Sequence, residues 1–227
     1  MTVFERFQWG VDRETETATW SRMVAGALFA TAAGWFITAM MLAGSMVPGY
    51  ELQPSTISQL GVEPESAFLF NGSLLGVGII TGVGGVLFYR SHRTRWLLAC
   101  FALAGLGAFG AGIFPLNFGP LHSLFALLAF LFYNVAAIGT GVRIRGPMVI
   151  VSVLLGTLGL IFLGIMIVGD LGNPSVFGPI GHGGAERMIV YPAMLWLLVF
   201  GGYMLASDRR RSRLAEPVAE SDARTES

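Results

Sequence analysis

With 227 residues, 54% of them hydrophobic and only 12% charged, and a mean hydropathy of +0.67, the chain is too apolar for a soluble domain of its length. Its formal net charge is zero, and nucleic acid is not among its expected partners. A single cysteine, Cys100, inside an apolar run, excludes an intrachain disulfide and a cysteine-rich metal site.

The first 22 residues mix Glu5, Arg6, Asp12, Arg13, Glu14, Glu16 and Arg22 with Phe4, Phe7 and Trp9. That is a poor fit to a cleaved signal peptide, which has a basic start and an apolar run of roughly 7–15 residues. Residues 23–47 are long enough to cross a hydrocarbon core about 30 Å thick, which takes around 20 apolar residues. Five stretches of similar kind follow, at 67–89, 96–114, 121–142, 147–169 and 188–206, each bounded by proline, glycine or charge. They run uninterrupted and do not alternate, which argues against a membrane barrel. The expected fold is therefore all-α: a six-transmembrane-helix bundle over 23–206, preceded by a cytoplasmic segment 1–22 and followed by a disordered cytoplasmic tail 207–227.

Arginine placement predicts the orientation. All 14 basic residues are arginine, and thirteen fall in the N-terminal segment, the second-to-third and fourth-to-fifth connections and the tail, leaving Arg187 alone on the other side. By the positive-inside rule both termini are cytoplasmic, in the cell membrane, with the lipid bilayer as the first partner. Gly72, Gly76, Gly78 and Gly82 in the second stretch, and Ala104, Gly105, Gly107, Ala108, Ala111 and Gly112 in the third, predict close backbone packing of these two helices. The second helix is expected to be central, and its small residues would serve a homodimer equally well.

Chemistry concentrates on the outward connections. The first, residues 48–66, carries Ser55 and Ser58; the second carries Asn117 and leads to His122; the third runs from Asp170 to His182, Glu186 and Arg187; Asn71 lies in the first turn of the second helix. His122 and His182 with Asp170 or Glu186 would make a general acid–base pair, or a two-histidine, one-carboxylate site for a divalent metal such as zinc. Ser55 or Ser58 would then be a nucleophile, and Arg187 a bidentate clamp for phosphate or carboxylate. In the structural alternative these residues only tie loops to helix ends, with Glu186 and Arg187 complementing a helix dipole and anchoring topology. No His-Glu-x-x-His, Gly-x-Ser-x-Gly or P-loop pattern occurs.

The run Ser55-Thr56-Ile57-Ser58-Gln59-Leu60-Gly61, followed by Phe70-Asn71, Gly112-Ile113-Phe114-Pro115, His122 and Glu186-Arg187, resembles the six-helix membrane family catalogued as domain of unknown function 998. The resemblance covers roughly residues 23–206. It implies a polytopic bundle with recurrent polar residues at one face, and no particular reaction.

Two functions of different class follow. In one, His122, His182 and Glu186 act as catalytic groups, with Ser55, Ser58, Asn71, Asn117, Asp170 and Arg187 binding a lipid headgroup or small polar molecule, so that the side chains converge on an outward site. In the other, the protein is a non-catalytic scaffold or small permease, and a permease would need a polar path through Asn134. Enzyme and binder are both left open.

Overall fold

The computed structural model describes residues 16–144 and 146–206 in full and residues 3–15 and 207–225 by their backbone. The expectations on side chains of residues 1–15, on Arg145 and on the tail from 207 lie outside the fully described residues. Among the described residues the fold is all-helical, with six helices long and apolar enough to cross a membrane. They are α1 (Val3–Met46), α2 (Ala67–His92), α3 (Arg95–Ile113), α4 (Pro120–Ile144), α5 (Met148–Asp170) and α6 (Gly181–Thr225). The chain is a multi-pass membrane protein.

Successive helices pack side by side and α6 closes on α1, so chain order is also the order around a ring. Short connections enforce this, because a helix that must return within a few residues can only pack on its predecessor. The expectation of a central second helix is corrected accordingly: α2 is a ring member packed between α1 and α3. Its glycines do what the spacing predicts. A side chain at Gly78 would come 2.6 Å from the Gly105 carbonyl oxygen, and one at Gly105 would come 2.6 Å from that of Gly78, so the α2 and α3 backbones touch. The α1–α6 seam is built the same way, from Gly26 against Gly201.

Toward the end of the bundle where α1 starts and α6 finishes, the ring is filled by aromatics. Phe29, Phe101, Trp196 and Phe200 stack in sequence, with Phe29 and Phe101 centroids 4.8 Å apart and Trp196 and Phe200 5.1 Å apart, and Phe88 meets Phe101 and Phe200 edge-on. All five are fully buried. The Trp196 indole N–H is satisfied by Ser152 Oγ at 3.0 Å, as a buried indole requires. Asn134 at mid-depth donates to the Phe130 and Ile189 carbonyls. The polar path that a permease needs would therefore have to pass a packed aromatic layer.

Two helix starts differ from the sequence expectation. α1 is helical from Val3, well before the expected start at 23, and 16–22 contains neither glycine nor proline to break it. More consequentially, α6 begins at Gly181 and not at 188. The stretch expected to be loop is a 3-10 turn, Pro174–Ile180, followed directly by helix. His182 and Glu186 are thus four residues apart on one helical face, with Arg187 about 100° further round.

Candidate functional site

Everything singled out on the connections expected to face outward lies at the end of the bundle opposite the start of α1 and the finish of α6, in two adjoining assemblies with different jobs.

The first is a latch between the α1–α2 connection and the start of α6. Arg187 is 6% exposed, and its Nη1 donates to the carbonyls of Leu52, Ser55 and Gly183, each at 2.8 Å. Its Nη2 donates to the Tyr50 hydroxyl at 2.6 Å, and the guanidinium carbon sits 5.4 Å from the centre of the Tyr50 ring. Tyr50 in turn donates to the Thr56 carbonyl at 2.9 Å. Burial pushes the Tyr50 phenol above its ordinary range, opposed by the Arg187 guanidinium, which pulls it down.

Glu186, 2% exposed, completes the latch from the next position. Its carboxylate accepts the Ile57 N–H, the Ser58 N–H at 3.3 Å and the Ser58 hydroxyl at 2.6 Å. Those amides open the 3-10 turn Ile57–Gly61, whose own cap residue Thr56 provides no side-chain bond. A carboxylate from another helix therefore caps this turn, which suits the positive end of its peptide dipoles. The glycines of α6 make room for the loop. A side chain at Gly183 would collide with the Ser55 and Leu52 carbonyls, and the Gly183 N–H donates to the Gln53 carbonyl at 2.9 Å. Asn71 belongs here too, donating to the Gly61 carbonyl at 2.8 Å.

The second assembly is a cleft of about 430 Å³ bounded by the 3-10 turn Ile57–Gly61, α4, α5 and the start of α6. His122, Ser58, Asp170, His182 and Glu186 all line it, so five of the residues expected at a site are brought to one concavity. His122 is 5% exposed and its Nδ1 lies 2.8 Å from the Phe114 carbonyl oxygen. A carbonyl only accepts, so Nδ1 carries the proton and, in the neutral ring, Nε2 presents a lone pair. That Nε2 is buried without a partner. His182 stacks on Phe177, centroids 4.8 Å apart, and its Nε2 lies 3.1 Å from Asp170 Oδ1 but off the line of a hydrogen bond.

Not every expected residue reaches the cleft. Ser55 acts through its backbone carbonyl in the latch. Asn117 lies in the exposed turn Leu116–Phe118, and of that turn only Leu116 lines the cleft. Arg187 is turned into the latch, where backbone carbonyls engage its Nη1 and the Tyr50 hydroxyl its Nη2, and its Nε is buried away from the cleft. Among the described residues no three His, Cys, Asp or Glu side chains are grouped to hold a metal, so the two-histidine, one-carboxylate donor set is not assembled.

The apolar part of the cleft was not anticipated. Leu163, Met166 and Ile167 of α5 line it below Asp170, and Leu127 and Phe130 of α4 line it below His122. The signal was present in the spacing: 163, 166, 167 and 170 form one stripe of a helix that ends in a carboxylate. These are also the two helices least enclosed by the bundle, with 33% of the apolar stretch of α4 and 22% of that of α5 buried. Leu127 and Ile167 keep 40% and 44% of their surface exposed, so this side of the cleft faces lipid.

The family described as Protein of unknown function (DUF998) matches the chain over residues 15–203. No curated protein and no solved structure matches it.

Proposed function

Because the chain belongs to the family described as Protein of unknown function (DUF998), membership brings no reaction with it, and we propose from the geometry that the protein binds an amphiphile at the membrane boundary. The head would sit among His122, Asp170, His182 and Glu186, and the tail would lie along Leu127, Phe130, Leu163, Met166 and Ile167. One observation supports this above the rest: a single cleft is polar at the bundle end and apolar where it turns toward lipid between α4 and α5. His122 is the group best placed to take a proton or a hydrogen bond from the head, since its free nitrogen has no protein partner.

Filling the cleft tests this. In Ala126→Phe a ring enters the space between α4 and α5 from a residue that lines the cleft. In native mass spectrometry after release from nanodiscs, the wild type should retain a bound lipid and the variant should retain about ten-fold less, the equivalent of about 1.4 kcal/mol. Equal retention would sink the proposal.

The same reading puts the cleft on the extracytoplasmic side of the cell membrane with both termini in the cytoplasm, on the strength of the arginine distribution. Ser175 is exposed beside the cleft, and the native Cys100 is buried. In intact cells an impermeant thiol reagent should label Ser175→Cys from outside; labelling only after permeabilisation would reverse the orientation.

A scaffold remains the second reading. It draws on the latch, where the Glu186 carboxylate and the Arg187 Nη groups are spent on tying the first connection to α6.

A further inference from the structure

Taking the cleft as an amphiphile site, we propose that the head it selects is an ammonium, a group that carries positive charge and donates hydrogen bonds. Donor accounting leads there. The Ser58 hydroxyl is spent on Glu186, the Ser123 hydroxyl points to the Gly119 carbonyl at 3.3 Å, and the His122 Nδ1–H is spent on the Phe114 carbonyl. What remains facing the cleft is mostly acceptor: the partnerless Nε2 of a histidine that is 5% exposed, and the half-exposed carboxylate of Asp170. Thr56, Gln59 and the His182 ring, whose Nε2 has no aligned partner, can give or take. A ligand that brings its own donors satisfies this set; one that brings only acceptors leaves Nε2 of the neutral His122 ring buried and unpaired.

Charge points the same way. Among the described residues Asp170 and Glu186 line the cleft and no arginine does, because the Arg187 guanidinium is committed to the latch. Asp170 is the last residue of α5, where the carbonyl end of the helix disfavours an acid and favours a cation beside it. His182 is its protein neighbour, 3.1 Å away yet poorly aligned. The start of α6, which would otherwise attract an anion, is covered by the loop through the Gly183 N–H bond to Gln53. An ammonium among Asp170, Glu186 and the His122 lone pair is the complementary group.

Lipid heads and free amines both carry an ammonium, and three probes separate these: decylamine, decyl phosphate and ethanolamine, titrated onto the full chain in nonionic detergent with thermal stability as readout. We expect decylamine to bind about ten-fold or more tighter than decyl phosphate, and Asp170→Asn to remove about ten-fold of that preference. Asp170 is half-exposed, so the variant should keep its fold. Decyl phosphate binding as tightly as decylamine, or an unaltered preference in Asp170→Asn, would overturn ammonium selection; if Ala126→Phe still blocks that binding, the amphiphile cleft stands. Ethanolamine matching decylamine would keep the ammonium site and remove the tail, and with it the amphiphile reading. Stabilisation by none of the probes would overturn both.

Discussion

Arg187→Met is expected to cost about 3 kcal/mol of stability, the upper end for hydrogen bonds to a charged group whose buried partners are left in place. The carbonyls of Leu52 and Ser55 and the Tyr50 hydroxyl lose their common donor, and the Tyr50 ring loses the cation held 5.4 Å from its centre. Arg187→Lys should recover less than half, since one ammonium cannot span loop carbonyls and a phenol that the planar guanidinium reaches together. Thermal or denaturant unfolding in detergent measures both variants. A loss below about 1 kcal/mol for the methionine variant would mean that the loop is not held by this side chain.

The second large effect is expected at the α2–α3 seam. In Gly105→Ile the first added carbon already lies 2.6 Å from the Gly78 carbonyl oxygen and 3.2 Å from the Gly82 nitrogen, and both neighbours are backbone. Backbone cannot swing aside as a side chain can, so the two helices must separate, at about 3 kcal/mol for overpacking of this kind. Gly82→Ala is the control, because a side chain there meets nothing within 4 Å. Unfolding of the two variants side by side checks the contrast. Similar losses in both would mean that glycine matters for the helix itself and not for the seam.

The number and type of the helices were legible because a hydrocarbon slab imposes a length that few other structures share. The α2–α3 contact was legible for a related reason: small residues spaced along a membrane helix have little use except close approach. The start of α6 was not. Gly181, Gly183 and Gly184 carry the signature of a turn in water, and the fact that overrides it, a loop lying directly on that helix, comes from a segment more than a hundred residues earlier. The same long-range contact decides the fate of Arg187. An arginine among glycines at a membrane boundary suggests an anion clamp, and nothing local reveals that carbonyls from 52 and 55 will arrive first. His122, Asp170 and His182 were legible as neighbours because each ends or begins a helix at the same level. Asn117 stood at that level too, yet its short turn carries it to the surface.

The latch also sets a timetable for synthesis. Ile57 and Glu186 are 129 residues apart, so the amides of the first connection must wait for their acceptor while four further helices leave the ribosome. Until then the segment from Tyr50 to Ser58 has backbone polar groups without their final partners, and α1 has no sixth helix against which to close the ring. A nascent chain halted before α6 would carry an open seam along α1 and an undocked first connection: the glycine-rich start of α6 seals the connection, and Gly201 further along the same helix seals the seam.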